Sequence, residues 1–303
     1  MSIFNRALLA KLEVTKGVDS VPVAGTNDIQ VVSLKPTPTA EIVDNPVVKA
    51  TMGNKAHLIG RQTIEVAVDA NMKASGVLGT APELSPLLQA CGLTETVVTA
   101  VSVDYAPSSV SGRKSVSAYA YDDGQVFNVL GAVSNLALDA TIGQALKATF
   151  NLKAGFDIAP AVAAAPVPAV NATQPIVMLS ADIITQAGAA IKAGAFKLDL
   201  GNEFGDHNTT GQNEFSVANR KPTITITKDS LSTPADWNAL IGSTSIALVA
   251  TFGTVAGNKI VITANNAQLS SVAAGERNEV LTTELAFNLY ETAGDDQFNI
   301  SFQ

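Results

Sequence analysis

Apolar and polar side chains alternate along much of this chain, the period of a strand with one face buried and one face wet. The alternation runs through 27–36 and 60–70, and in the second half through 195–200 and 221–228. Further alternating stretches cover 102–105, 115–121 and 125–130, and Asp123-Gly124 between two of them is a hairpin turn, because Gly accepts positive φ. Two segments break the pattern. Residues 37–59 hold Pro38, Pro46 and Gly53-Asn54 and are predicted as a long loop or protruding hairpin tip, while 201–219, rich in Gly, Asn and Thr, is predicted as a polar loop. Loops of this length inside a compact domain are usually functional. Helices are predicted near 84–91 and 235–241. Thr80-Ala81-Pro82-Glu83 and Thr233-Pro234-Ala235-Asp236 each offer Thr as N-cap, an acid three residues on and a Pro in the first turn, and Gly92 and Gly242 supply the stops.

The pattern also repeats. Asn135-Leu136-Ala137-Leu138-Asp139 and the later Phe150-Asn151-Leu152 read against Gln268-Leu269-Ser270-Ser271-Val272 and Phe287-Asn288-Leu289, with a Gly-containing turn between strands in both copies. Upstream, Thr63-Ile64-Glu65-Val66 reads against Thr223-Ile224-Thr225-Ile226. The repeat predicts two β-rich modules, 1–156 and 176–303, joined by an Ala/Pro-rich linker at 157–175 whose prolines cannot sit in a central strand. A chain of 303 residues is long enough for two such cores.

Composition narrows the function. The formal net charge is −8, which argues against wrapping nucleic acid, since affinity for phosphate backbones comes from cations. The single cysteine excludes an internal disulfide, and Cys91 reads as a small buried hydrophobe. No apolar run approaches the length of a membrane span, and the amino terminus is a poor secretory signal, so the reading is a soluble protein made in a cytoplasm. Charged residues are only 15% of the chain and mean hydropathy is positive, so much of the surface is neutral or apolar, as in a subunit that meets other subunits.

Catalytic chemistry is hard to find. His57 and His207 stand one in each long loop with no ligand-spaced partners, which leaves them as solvated imidazoles and gives no metal site. Asp122-Asp123 and Asp295-Asp296 sit at Gly-containing turns, and Trp237 reads as a packing anchor of the second helix. No nucleophile elbow, phosphate loop or dinucleotide fingerprint occurs. No catalytic residue and no cofactor is assigned.

Several segments carry a resemblance. Arg6-Ala7-Leu8-Leu9-Ala10-Lys11-Leu12-Glu13 with Gly17 and Pro22, then Leu87-Leu88-Gln89-Ala90-Cys91-Gly92-Leu93, Leu198-Asp199-Leu200-Gly201-Asn202 and Asn219-Arg220-Lys221-Pro222-Thr223, resemble the tail tube (major tail) proteins of long-tailed phages. The second module departs at Trp237-Asn238-Ala239-Leu240-Ile241-Gly242, where the Leu-Leu-x-Ala-Cys-Gly element is not kept. The resemblance implies a mainly β fold of two tandem β-sandwich or half-barrel modules, each with one short flanking α-helix. It also implies a structural virion protein of the phage tail, not an enzyme, that self-assembles into stacked rings around a bore through which DNA passes without specific binding. Other implied partners are a tape measure protein in the lumen and tail terminator and distal tail proteins at the tube ends, with no membrane.

Two modules per chain then predict a homotrimeric ring of pseudo-sixfold symmetry. Candidate ring-stacking residues in the long loops are Asn45, Val47, Lys49, Met52, Asn54, His57, Glu203, Asp206, His207, Gln212 and Phe215. Candidate lumen-facing residues are Glu65, Asp69, Thr225 and Thr227. Alternative readings are a tail fibre or adhesin, a tail terminator or decoration protein, and, more remotely, a hydrolase on a β scaffold.

Overall fold

A computed structural model describes residues 6–53, 55–109, 114–169, 171–277 and 279–303. Its elements in chain order are β1 (Arg6–Leu12), β2 (Asp28–Ile29), β3 (Ser33–Val43), β4 (Leu58–Asn71), α1 (Ser85–Ala90), β5 (Leu93–Val98), β6 (Ser102–Pro107), β7 (Val116–Asp122), β8 (Gln125–Thr141), β9 (Lys147–Gly155) and β10 (Ala161–Val162). Then follow β11 (Ile183–Gln186), β12 (Ala189–Ile191), β13 (Ala193–Asp199), β14 (Asn202–Thr209), β15 (Gln212–Arg220), β16 (Thr223–Lys228), α2 (Pro234–Ile241), β17 (Ser245–Val255), β18 (Asn258–Arg277), β19 (Val280–Leu289) and β20 (Asn299–Phe302).

Eight of these strands form one continuous antiparallel sheet, in the order β3-β4-β9-β8-β13-β16-β19-β18. Period-two alternation decides its faces. Ile64, Val66, Val68, Phe150, Leu152, Leu136, Leu138, Phe196, Leu198, Ile224, Ile226, Leu285 and Phe287 all point to one side and are buried. The residues between them, mostly Thr, Asn, Lys, Asp and Glu, form the opposite, polar face.

β8 and β18 are unusually long, 17 and 20 residues, and each serves two layers. Residues 125–132 of β8 pair with β7, which pairs with β1, and 133–139 pair with β9. Residues 258–268 of β18 pair with β17, which pairs with β11, and 267–277 pair with β19. Each crossing has a bulge in its first ladder, at Val116/Ala118 and Ile246/Leu248, which bends the long strand from one layer to the next. The order β1-β7-β8-β9-β4-β3 thus has a counterpart in β11-β17-β18-β19-β16-β13. The final strand β20 lies between β18 and β6, and β6 also pairs with β5, so a hairpin from the first half completes the outer layer of the second. One contiguous apolar cluster runs through both halves.

The helices lie where their stop and start signals put them, with one correction. In α2, Thr233 caps the helix in a capping box with Asp236. In α1 the cap is Leu84, without a side-chain bond, and Thr80 lies outside the helix. Burial replaces capping there, because Leu84, Leu87, Leu88 and Cys91 are all fully enclosed. Gly92 stops α1 in the left-handed region at φ 76°, whereas Gly242 has φ −83° and Ser243 takes the positive value. Trp237 is not a buried anchor: it is 44% exposed and its indole N–H donates to Ser232 Oγ at 3.0 Å.

Two loop expectations change. Residues 201–219 are the paired hairpin β14–β15, closed by Thr210 and Gly211, whose φ is 83°. Its alternation was hidden because Phe204, Phe215 and Val217 are its main large apolar members. Residues 37–59 are strand at both flanks, 37–43 against 58–65 with an irregularity between Ala40 and Ile42. The register also corrects one alignment. Phe150 lies opposite Leu136 and Val68, and Phe287 opposite Leu269 and Ile224, so Val68 rather than Ile64 is the counterpart of Ile224. A shift of four residues keeps every side chain on its face.

Candidate assembly interfaces

Glu65, Asp69, Thr225 and Thr227 share the polar face of the eight-stranded sheet, each alternating with buried neighbours. Several of the charges on this face are held in pairs across strands. Lys153 Nζ lies 3.0 Å from Glu65 Oε1, Lys147 Nζ 3.0 Å from Asp69 Oδ2, and Lys197 Nζ 3.3 Å from Asp139 Oδ2. Thr149 also donates to Asp69 Oδ1 at 2.7 Å. Thr225 stands between Lys197 and Ala286, and Thr227 between Ala195 and Glu284. Such exposed pairs add little stability but leave a face with no block of one sign.

Two arms leave the sheet at corresponding places, one between β3 and β4 and the other between β13 and β16. The first arm stands away from the body. Asn45, Val47, Lys49, Met52 and His57 are exposed at its tip, and Asn54 lies outside the described residues. Its flanks are exposed too, with Ile42 at 63%, Leu58 at 56% and Ile59 at 61%.

The second arm is laid down on the first half of the chain. Arg61 grips it, with Nη1 2.5 Å from Asp206 Oδ2, Nε donating to Asn213 Oδ1 at 2.8 Å, and Cζ 4.4 Å from the Phe215 ring centroid. Lys153 Nζ sits 5.0 Å from the same centroid, and Lys16 Nζ 3.4 Å from Glu214 Oε2. Phe215 and Val217 pack with Val133, so Phe215 is buried in its own chain. Asn202 and Arg220 fix the arm's root, donating to Cys91 O at 2.8 Å and Gly92 O at 2.8 Å. Glu203, Asp206, His207 and Gln212 are exposed. Glu203 bonds Lys221 at 2.5 Å, which holds its carboxyl below the ordinary value, and His207 Nε2 is 2.7 Å from Ser216 Oγ.

Sequence spacing did not single out Arg61, Lys16 or Asn213 as clamps, since Arg61 and Asp206 are 145 residues apart. Asn202 and Arg220 stand in two of the segments that carry the family resemblance, but nothing in the sequence assigns them this role. Cys91 is buried as expected, and loss of hydration pushes its thiol up to about 12. Asp123 and Asp295 occupy turns at φ 45° and 55°. Among the described residues no His, Cys, Asp and Glu side chains group as a metal site, and no helix is long and apolar enough to cross a membrane.

A long sheet with cross-strand charge pairs on one face, open ends and one projecting arm beside one folded down defines a β subunit built to associate. The sequence profile of the family described as phage tail tube protein matches residues 4–289, and the chain belongs to that family. It is a structural, non-enzymatic component of the virion tail, and proteins of the family self-assemble into a tube. No curated protein matches the chain.

Proposed function

We propose that this subunit is a tandem duplication, with modules at 1–156 and 176–303 and a linker at 157–175, and that three copies close a ring of pseudo-sixfold symmetry. The observation carrying this reading is the counterpart pairing order in the two halves, joined through β8–β13 into one sheet. Repeated three times, such a sheet curves into a closed barrel without exposed edges. The polar face, with Glu65, Asp69, Thr225 and Thr227, lines the bore, and its paired charges let DNA slide through without a binding site. The arm tips stack ring on ring, through Asn45, Val47, Lys49, Met52 and His57 on the first and Glu203, Asp206, His207 and Gln212 on the second. A tape measure protein occupies the bore before ejection, and terminator and distal tail proteins meet the tube ends.

Electron microscopy of assembled tubes viewed down the axis, with native mass spectrometry of rings, tests this. Rings of three chains with six density lobes are the expected result. Rings of six chains, or solid fibres, overturn it.

A further inference from the structure

Both ends of the eight-stranded sheet are open among the described residues: β3 pairs only with β4, and residues 269–277 of β18 pair only with β19. The chain also contains one completed junction of the kind these ends lack. There β13 pairs with β8 over five positions, with Leu198 opposite Leu138, Lys197 opposite Asp139 and Asp199 opposite Ala137.

The register carries that junction onto the open ends. Leu198 and Leu34 correspond, because they face Ile224 and Val68, which face Phe287 and Phe150. Leu138 and Val272 correspond, because they face Ala148 and Leu285, both two residues before the Phe of a Phe-Asn-Leu segment.

We propose that β3 of one copy pairs antiparallel with the far half of β18 of a second copy, with Leu34 opposite Val272, Ser33 opposite Ala273 and Lys35 opposite Ser271. The proposal rests on the ring reading and adds the two edges and their register.

Exposure at corresponding positions supports it. Phe196 is 1% exposed where the internal junction covers it, while Val32, just before β3 at the matching end of the open edge, is 63% exposed. Ala140 is fully buried, and its counterpart Ala274 is exposed. The arms behave alike: the second, beside the internal junction, lies on the half across it with Phe215 at 4%, whereas the first, beside the open β3 edge, keeps Ile42 and Ile59 exposed. The docking copy supplies the missing surface for both. Pro36 and Pro38 have no N–H to give, so the pairing ends at Lys35, one hydrogen bond short of the internal junction, where Leu200, the counterpart of Pro36, donates its N–H to Leu136 O at 3.0 Å.

The test uses two single variants of the full chain, Ser33→Cys and Ala273→Cys, mixed, assembled and oxidised. Directly opposed residues have Cα atoms about 4.5–5.5 Å apart, within disulfide reach. Within one chain the two sites lie at opposite ends of an eight-strand sheet, so an internal bond is out of reach. Native Cys91 is buried and does not compete. The expected result is a dimer band that draws off up to about half of the monomer in the equal mixture and is missing from either variant alone. The double variant then gives a ladder, which ends at three chains if the ring reading also holds.

A Thr37→Cys with Ala273→Cys mixture, four residues out of register, is expected to stay monomeric on the gel. Tubes that form without the Ser33–Ala273 dimer overturn this pairing while leaving the ring reading intact. A ladder ending at six chains upholds the pairing and overturns the trimer. Equal cross-linking of both mixtures overturns the register.

Discussion

Glu13 shows how much one side chain organises. It is 8% exposed, and its carboxylate accepts from Ser115 Oγ at 2.5 Å, Ser117 Oγ at 2.8 Å, and the backbone N–H groups of Gly17 at 2.8 Å and Gly131 at 2.7 Å. Those donors come from three separate segments, and they turn a buried acid at the end of β1 into the pin that holds the 14–20 loop on β7 and β8. Glu13→Ala leaves four donors without an acceptor and is expected to destabilise the monomer by about 3 kcal/mol, read as a lower urea midpoint. Asp236 makes a different use of burial. Desolvation alone would raise its pKa, but hydrogen bonds from Thr233 and Gln186 and the 2.9 Å contact with Lys228 Nζ outweigh it, so the carboxyl lies below its ordinary value. A depressed carboxyl contributes stability above its unfolded pKa and loses it as pH falls through the folded value. The melting temperature is therefore expected to fall on acidification below about pH 4, near the ordinary carboxyl range, with part of the fall absent in Asp236→Asn. At neutral pH that variant leaves Lys228 buried without its counter-charge, a cost of about 3–5 kcal/mol.

Among the elements, the arms diverge most. Arg61, near the root of the first arm, touches the second arm by ion pair, hydrogen bond and ring stacking at once. Arg61→Ala is expected to release residues 202–220, seen as faster amide exchange and new proteolytic cleavage there, with the exchange of β16 and β19 unchanged. The alternating strands, the short helices and the Asp123-Gly124 turn were legible in the sequence because each rests on local chemistry: period two, a Thr–Asp capping box, a Gly at positive φ. The second arm was not, since a polar hairpin on a polar surface leaves few large apolar residues to mark its period. Its clamp was not legible either, because Arg61 meets Asp206 only once the chain has folded back. The N-cap of α1 was misassigned for a related reason: the helix lies near 84–91 as its pattern implied, and Thr80 has capping chemistry, but packing around Leu84 and Leu87 decides where the first turn begins. Among the lumen candidates, alternation gave the shared face correctly, and the pairing of Glu65 with Lys153 came from register.

For the molecule as a whole, the polar face matters most. Its lysines at 147, 153 and 197 each have an acid within 3.3 Å. Replacing Glu65 by Gln, Asp69 by Asn and Asp139 by Asn leaves three cations unpaired on that face. Purified subunits or tubes of the triple variant are expected to retain duplex DNA at low salt and release it steeply as salt rises, with a log–log slope of about −3. The unaltered protein is expected to show no such retention, and equal binding by both would remove the role assigned to these pairs.

The place of β20 between β18 and β6 has a consequence in time. Asn299 and Asp104, which meet across that pairing, are 195 residues apart in the chain. At about 5–20 residues per second of synthesis, the edge of β6 waits on the order of 10–40 seconds for its partner to emerge. During that interval a nascent subunit carries a bare strand edge in a crowded polysome, where neighbouring copies present the same edge. The charged and hydroxylated make-up of β6, with Asp104 beside Ser102, discourages pairing with the wrong chain until the right strand arrives.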